Sequence, residues 1–376
     1  RQTKAVRRDD MFDKKVSIWA AGLALFSMFF GAGNLIFPLL IGKAAGSESV
    51  AAVTGLGLSA VVFPFLGLVA MMLYGGDLRA FLARLGKWPA FAVMGLLYMS
   101  QGPVGAMPRH FTLMHASIKP YIPGLPLIVF SALIACVVFY LTIRPTKMMQ
   151  WLGSVLTPLL LLAIGVLVSV GIWQASALPQ NIDGALYHFQ QGLKGGYQTL
   201  DLTAALLFAT LIVPYLGQGN VSKQEARRRM LGASLIAAGL LMAAYVGLCY
   251  LSAHHSGSFA LLPPEELLHA IAVKLLGPVG GFFATGAVFL ACLTTNITLA
   301  ALFAEYVRRE FFQGKGLIAW PLAGTLFVTG LMATLGFSGI MRAMGPVLEV
   351  VYPGLIALCL WNMISKLYVL KISPSR

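Results

Sequence analysis

The chain has 376 residues, of which 58% are hydrophobic and only 11% are charged, and its mean hydropathy is +0.82. Soluble domains carry about 25% charged residues, so this composition excludes a globule solvated by water. The apolar runs are too long for the strands of a membrane barrel. The composition therefore predicts an all-α polytopic protein whose solvent is the lipid bilayer.

The formal net charge of +14 does not indicate a nucleic-acid partner, because of where the basic residues fall. If the N-terminus is placed in the cytoplasm, most of the 27 Lys and Arg residues lie in connections on that same side. This asymmetry follows the positive-inside rule and predicts that both termini are cytoplasmic. The basic residues are expected to meet anionic lipid.

Ten apolar segments are each close to the length of about 20 residues that crosses the hydrocarbon layer. They follow a polar cytoplasmic arm, residues 1–15. The predicted spans lie near residues 16–41, 50–74, 88–107, 125–143, 149–173, 197–216, 230–252, 278–303, 317–335 and 346–365. The third span is the least regular, because Gly, Pro and polar residues interrupt it, and it can extend past Arg109.

The first span contains the stretch FGAGNLIFP (30–38), which is poor material for an uninterrupted helix. Each interior Gly costs about 1 kcal/mol relative to Ala, and Pro costs about 3 kcal/mol. A break at membrane depth is tolerated where it is buried in protein or lines a wet cavity, and there the freed backbone groups become ligands. The alternative is that the small residues only let two helices approach closely.

The sixth span contains TLIVP (210–214), which echoes NLIFP (34–38) of the first. Ten spans divide into five within 16–173 and five within 174–370, and an odd number per half inverts the second half in the membrane. Interrupted segments at corresponding places in two inverted halves indicate a binding site. We therefore predict a 5+5 inverted repeat in one membrane domain, with broken first and sixth helices and the second break at 204–210.

The longest external connection, residues 252–277, contains Pro-Pro-Glu-Glu followed by apolar residues at helical spacing. Proline in the first turn and acidic residues near the N-terminus favour a helix start, so an interfacial helix is expected here. Either a lid over an external vestibule or a surface helix without a gating role fits this pattern.

Neither the histidines nor the cysteines predict a metal centre or an enzyme. His254, His255 and His269 lack the HExxH pattern, and the spans hold no paired carboxylates of protease type. The four cysteines fall in four different apolar runs without CxxC spacing, which is typical of packing residues. No cofactor is expected.

Three stretches together resemble the branched-chain amino acid:cation symporter family, the bacterial BrnQ-type carriers. They are LALFSMFFGAGNLIFPLLIGKAAG (23–46), GYQTLDLTAALLFATLIV (196–213) and LACLTTNITLAALFAEY (290–306). That family shares the LeuT architecture. The resemblance implies a LeuT-like fold, a bacterial inner membrane, and symport of leucine, isoleucine or valine with a cation. The family generally has two further spans, and this chain stops at Arg376, which leaves open a truncation or a shorter variant.

The resemblance also implies a cation site between the first and eighth helices. Its expected ligands are neutral oxygens, namely the carbonyls of Ser27, Phe30 and Ala291 and the hydroxyls of Thr294 and Thr295. Hard oxygens of this kind suit a small cation that has lost its water. Na⁺ is the expected coupling ion, and H⁺ is the alternative. Adjacent threonines in membrane helices also bond back to carbonyls one turn earlier, and this simpler interpretation stays open.

The same resemblance places the substrate on the broken first helix, with its carboxylate on the amides that open the second half-helix. The ammonium group needs carbonyls or an acid, and the aliphatic side chain needs an apolar wall. The residues expected to bind the amino acid are Phe29, Gly31, Ala32, Gly33, Asn34, Asp201, Ala204, Phe208 and Leu299.

Asp201 and Glu349 are the only acidic residues within the ten predicted spans, and an intramembrane carboxylate is a functional candidate by default. Asp201 fits three roles at this stage: it lines the external path, ligates a cation or caps the start of the sixth helix. Glu349 is expected to face a vestibule or Arg342.

The sequence as a whole predicts a secondary active transporter that imports branched-chain amino acids with a cation by alternating access. A transporter of another neutral amino acid on the same scaffold is the nearest alternative. A sensor that binds an amino acid without transporting it is the second alternative. The oligomeric state is not indicated.

Overall fold

A computed structural model describes residues 18–144, 147–216, 223–259 and 261–372, and the described residues contain helices and no strand. The predicted arm at 1–15 lies outside the described residues. The α-helices are α1 (Ile18–Phe29), α2 (Ala32–Ala45), α3 (Ser49–Gly57), α4 (Phe63–Met72), α5 (Leu78–Leu82), α6 (Lys87–Gln101), α7 (Ala106–Ile118), α8 (Leu127–Ile143), α9 (Lys147–Trp173), α10 (Ala185–Gln198), α11 (Asp201–Leu216), α12 (Lys223–His255), α13 (Leu267–Phe311), α14 (Ala319–Ala333) and α15 (Gly336–Ile372).

The first predicted span is broken between α1 and α2, as expected. The last turn of α1 closes with a bond from the Phe30 amide to the Phe26 carbonyl at 2.8 Å. Gly31 is extended, with φ −117° and ψ −164°, and α2 starts at Ala32. The Gly31 amide donates to Asn34 Oδ1 at 2.9 Å, so a side chain replaces the backbone partner that the break removes.

The sixth helix is also broken, but not where the sequence echo indicated. The break lies at Thr199 and Leu200, between α10 and α11, and Leu200 has a φ of 66°. The prediction of a break at 204–210 is wrong, because these residues lie inside α11. The echo aligned two prolines, and Pro214, like Pro38, lies within a helix. The interruption instead comes where an acidic residue opens the new helix and favours its N-terminus.

The third predicted span, 88–107, extends past Arg109, as its sequence allows, and is interrupted as well. It consists of α6 and α7, joined by turns at residues 102–105. Arg109 lies in α7 with 1% of its surface exposed. The extension of this span therefore carries a buried arginine.

The predicted external connection at 252–277 is largely helical. α12 continues to His255, and α13 begins at Leu267 directly after a 3₁₀ turn at Pro264–Glu266. Gly277, with a φ of 72°, separates this first part of α13 from the rest. Its apolar residues Leu267 and Ile271 are fully buried, so this face packs against protein rather than against lipid.

Five helical stretches are long and apolar enough to cross a membrane, and four shorter apolar helices accompany them within the described residues. Helix overlaps every predicted span, although α15 extends well beyond the predicted 346–365. The protein is therefore a multi-pass helical protein. The number of crossings, the repeat boundaries and the side of each terminus stay predictions.

By their mutual contacts, most of the helices fall into two groups. In the first group, α1, α2, α10 and α11 pack on α3, α4 and α12. In the second group, α7, α8, α13 and α14 pack chiefly on one another, and α9 lies against both groups. The crossing of α3 and α10 is close: a Cβ added at Gly192 would lie 1.9 Å from the Ala52 carbonyl oxygen. Small residues permit this backbone contact between membrane helices.

Candidate functional site

A central cavity lies where the breaks in the first and sixth helices meet. A Cβ added at Gly33 would lie 3.1 Å from both the Cα and the carbonyl oxygen of Thr199. The two interrupted backbones are therefore in close contact, and a side chain at Gly33 would require the Thr199 main chain to shift by a few tenths of an ångström. The cavity wall includes all nine residues expected to bind the amino acid: Phe29, Gly31, Ala32, Gly33, Asn34, Asp201, Ala204, Phe208 and Leu299.

A buried hydrogen-bond cluster joins the two breaks. Asn34 Nδ2 donates to Asp201 Oδ1 at 2.8 Å and to Oδ2 at 2.9 Å, and it also contacts the Tyr245 hydroxyl. Tyr245 donates to Asp201 Oδ2 at 2.7 Å. Each of the three residues is at most 2% exposed. Asp201 is therefore the first residue of α11 and also accepts hydrogen bonds from side chains of α2 and α12.

Three further polar residues of the cavity wall come from the interrupted third span, and the sequence analysis missed them: Gln101, Arg109 and His110. Gln101 Nε2 donates to the Leu200 carbonyl at 2.6 Å and to Thr203 Oγ1 at 2.8 Å. A signal was available, since the stretch SQGPVGAMPRH (100–110) combines Gly, Pro and polar residues just as the first break does.

His110 closes the cavity against the first break. A Cβ added at Gly31 would lie 2.8 Å from His110 Nε2, so the ring lies directly on the glycine. The opposite ring nitrogen, Nδ1, lies 3.2 Å from Asn296 Oδ1 on α13. The imidazole is therefore held between the interrupted helix of the first group and a helix of the second group.

The other end of the cavity is apolar. The Phe29 ring packs on Phe208 with a centroid distance of 6.1 Å, and Met28, Ala204 and Leu299 complete this wall. The open space is about 30 Å³, which is room for about two water molecules. An amino acid of the size of leucine therefore fits only after side chains of the wall move outwards.

A second, smaller cavity contains every residue expected to bind the cation. Ser27 and Phe30 of the first break face α13 across it, and Thr157 of α9, which the sequence analysis missed, adds a further oxygen to its wall. Its predicted ligand residues are Ser27, Phe30, Ala291, Thr294 and Thr295. Residues that carry neutral oxygens line this space from the first break, α9 and α13, and neutral oxygens are the donors that a small hard cation takes.

The two threonines of this second cavity also bond back to their own helix. Thr294 Oγ1 donates to the carbonyls of Leu290 and Ala291 at 3.1 and 3.0 Å, and Thr295 Oγ1 donates to Ala291 at 2.9 Å. The hydroxyl oxygens keep lone pairs with which to coordinate a cation. The Ala291 carbonyl already accepts two hydrogen bonds from these hydroxyls. Both interpretations of the threonine pair are therefore compatible with the geometry.

Thr295 lines both cavities. On the first helix, the neighbouring residues Phe29 and Phe30 face the central and the second cavity respectively. The two spaces thus share one wall. No group of three or more His, Cys, Asp or Glu residues within the described ranges has the arrangement of a metal centre.

Glu349 does not pair with Arg342 as one interpretation expected. Its Oε2 lies 3.1 Å from Lys194 Nζ, and both side chains are about half exposed. Glu349 is not among the residues that line the central cavity. Of the two intramembrane acids singled out in the sequence, Asp201 alone belongs to the cavity wall.

Solved structures share this arrangement of helices. The inward-facing conformation of Mhp1 matches with a TM-score of 0.65 and 13% identity, covering 92% of this chain and 76% of that structure. The manganese transporter of Eremococcus coleocola matches with a TM-score of 0.60 and 15% identity, covering 92% and 74%. The fold, with its paired helix breaks, is therefore LeuT-like.

A family model described as branched-chain amino acid transport protein matches residues 14–373. The branched-chain amino acid permease BrnQ of Salmonella typhimurium is 29% identical over 92% of this chain and 80% of its own length. The permease BraB of Bacillus subtilis is 30% identical over 92% and 80%. The chain belongs to the branched-chain amino acid transport protein family, which confirms the resemblance. It is a transporter and not an enzyme.

Proposed function

We propose that the protein imports leucine, isoleucine and valine together with Na⁺, by alternating access in the inner membrane of a bacterium. Both termini face the cytoplasm in this proposal. The observation that carries it is the central cavity, where two interrupted helices bring free backbone ends, a buried carboxylate and an apolar wall together. These are the three features that an aliphatic amino acid requires: partners for each charged group and a dry surface for the side chain.

The polar end of the cavity receives the head group of the amino acid. The amides of Ala32 and Gly33 open α2 and have no partner within their own helix, so they are available to a carboxylate. The Asp201 carboxylate, which is hydrogen-bonded to Asn34 and Tyr245, is the acid for the ammonium group. Its existing bonds hold it in place before the substrate arrives.

The apolar end receives the aliphatic side chain against Phe29, Phe208 and Leu299. One buried methylene contributes about 0.8 kcal/mol, so this wall distinguishes valine from leucine by only a few-fold. A hydrophobic pocket does not discriminate more sharply than this among such substrates. A charged or strongly polar side chain has no partner at this end and is rejected.

The second cavity receives the cation, with Ser27, Phe30, Thr294 and Thr295 as oxygen donors. Because Thr295 belongs to both cavities, occupation of one space fixes part of the wall of the other. A potential of about 100 mV contributes about 2.3 kcal/mol per transported charge, and a tenfold ion gradient adds about 1.4 kcal/mol. One Na⁺ per amino acid then supports roughly 500-fold accumulation.

Uptake of labelled leucine into proteoliposomes tests the proposal. An inward Na⁺ gradient is expected to drive accumulation that excess unlabelled valine or isoleucine suppresses and that lysine does not. Equal uptake with choline outside, or with a proton gradient alone, refutes Na⁺ coupling. Suppression by a different neutral amino acid but not by valine refutes the substrate. Leucine binding without any flux identifies a sensor instead of a carrier.

A further inference from the structure

Arg109 is a buried guanidinium at the centre of the molecule, on α7 of the second helix group. It lines the central cavity and is 1% exposed. Its Nη1 donates to the Gln198 carbonyl at 2.6 Å, and its Nη2 donates to Gln198 Oε1 at 2.9 Å. Gln198 is the last residue of α10, so Arg109 already holds the helix end just before the second break.

These contacts leave one edge of the guanidinium without a partner. Nη1 and Nη2 each donate one hydrogen bond to Gln198 from the end of the guanidinium. Nε is buried and has no hydrogen-bond partner. The guanidinium carbon lies 5.8 and 6.0 Å from the ring centroids of Phe37 and Phe337, so two aromatic rings also border the group. The unpaired part is the side edge, where Nε–H and the second proton of Nη2 form a two-donor fork that matches a carboxylate.

The charged residues of the cavity wall also indicate a ligand with a carboxylate. In the part of the chain that the structure describes, no ion pair joins either Arg109 or Asp201 to another charged side chain. Both residues are nevertheless buried in the wall of one cavity. A buried charge without a counter-charge is costly, and hydrogen bonds to neutral groups offset only part of that cost. One unpaired cation and one unpaired anion facing a common space fit a zwitterion.

We propose that Arg109 binds the carboxylate of the transported amino acid, while Asp201 binds its ammonium group. This assignment rests on the proposed function and deepens it, since it names the second charged residue of the substrate site. It also moves part of the carboxylate recognition from the amides of α2 to the second helix group. The amide of Gly31, which directly precedes α2, adds no donor because it is already bonded to Asn34 Oδ1.

The assignment has a mechanical consequence within the cavity. Arg109 belongs to the second helix group, whereas Asp201 belongs to the first. A zwitterion bound to both joins the two groups through its own head group. An amino acid that lacks either charged group leaves the groups unconnected and leaves one buried charge without a partner.

Binding of leucine and of leucinamide to the detergent-solubilised full chain in saturating NaCl tests this proposal. Leucinamide keeps the ammonium group at about pH 6.5 and replaces the carboxylate by a neutral amide. The wild-type protein is expected to bind leucine about 100-fold more tightly than leucinamide. In Arg109→Gln, leucine affinity is expected to fall about 100-fold while leucinamide affinity changes less than about threefold, so the preference disappears.

Two further variants make the experiment decisive. Arg144→Gln removes an exposed arginine at the end of α8 and is expected to keep the full preference for leucine. Arg109→Lys keeps the charge without the fork, and its preference is expected to fall about tenfold; it replaces Arg109→Gln if that variant does not fold.

Equal losses of leucine and leucinamide affinity in both Arg109 variants overturn the assignment, because a residue that only holds the end of α10 affects both ligands alike. The proposed function then stands, since wild-type leucine binding is intact. A wild-type protein that binds no branched-chain amino acid overturns the proposed function and this assignment together.

Discussion

Replacing Thr295 by valine tests the coupling between the two cavities, because Thr295 lies in the wall of both. Valine keeps the shape of the side chain and removes the hydroxyl. That hydroxyl donates to the Ala291 carbonyl at 2.9 Å, and Thr294 donates to the same oxygen at 3.0 Å. The carbonyl keeps one partner in the variant, so we expect the free energy of unfolding to fall by no more than about 1 kcal/mol.

The expected effect on cation binding is larger. Hydrogen bonds to charged groups contribute about 1.5–3 kcal/mol, and a hydroxyl oxygen that ligates a buried cation interacts in the same way. Loss of one such oxygen corresponds to an increase of about 10- to 150-fold in the Na⁺ concentration that half-saturates binding. Because coupling is reciprocal, leucine affinity measured at low Na⁺ falls by a comparable factor and recovers at saturating Na⁺.

The assay is leucine binding as a function of NaCl concentration at constant ionic strength, with choline chloride as the balancing salt. Thr298→Val is the matched control. Thr298 lies on the same helix and bonds back to the Thr294 carbonyl at 3.2 Å, but its side chain is exposed and lines neither cavity. The Thr298→Val variant therefore removes the same kind of hydroxyl without removing an oxygen from either cavity.

The reasoning is refuted if Thr295→Val and Thr298→Val have the same Na⁺ dependence. That result would mean that the Thr295 hydroxyl serves only its bond to Ala291. A Thr295→Val protein whose leucine affinity stays low even at saturating Na⁺ would contradict the coupling argument in a different way, by showing damage to the substrate cavity itself.

The remaining predictions concern two backbone contacts and the apolar wall. Gly33→Ala places a Cβ 3.1 Å from the main chain of Thr199. Overpacking of about 1–3 kcal/mol in the binding-competent state corresponds to a loss of about 5- to 150-fold in leucine affinity, and unchanged affinity would contradict the contact between the two breaks. Gly192→Ala is expected to lower the melting temperature, because its Cβ would lie 1.9 Å from the Ala52 carbonyl oxygen. Gly239→Ala is the control and is expected to leave the melting temperature unchanged, because its Cβ meets nothing within 4 Å. Equal melting temperatures of the two variants would refute the close crossing. Valine and leucine are expected to compete with inhibition constants within about tenfold of each other, and a ratio of several hundred would require a polar contact at the apolar end.

The first break and its surroundings could be predicted from the sequence because their causes are local. Two glycines, an asparagine and a proline in the apolar run around Gly31 and Asn34 weaken the helix whatever packs against it. The family resemblance then linked this stretch to α13, and the structure places all of the named residues on two adjoining cavities. Their roles in binding stay predictions.

The second break could not be located from the sequence because its cause is tertiary. Neither Thr199 nor Leu200 is a helix breaker, and the left-handed conformation of Leu200 persists where Gln101 Nε2 donates to its carbonyl from another helix. Arg109 was missed for a related reason. Counting charges along the chain treats each basic residue as solvated, and only the packing of α7 shows that this one is buried.

The hydrogen-bond cluster at the first break has a consequence for how the protein is made. Asn34 meets partners that lie 167 and 211 residues further along the chain. Ribosomes release helices in order, so the opening segment enters the lipid long before Asp201 and Tyr245 are synthesised. During that interval Asn34 Nδ2 lacks both partners, whereas Asn34 Oδ1 has the Gly31 amide nearby, and an unsatisfied group in hydrocarbon costs several kcal/mol. Asn34 therefore stays without its Asp201 and Tyr245 partners until the seventh predicted span has been synthesised and inserted.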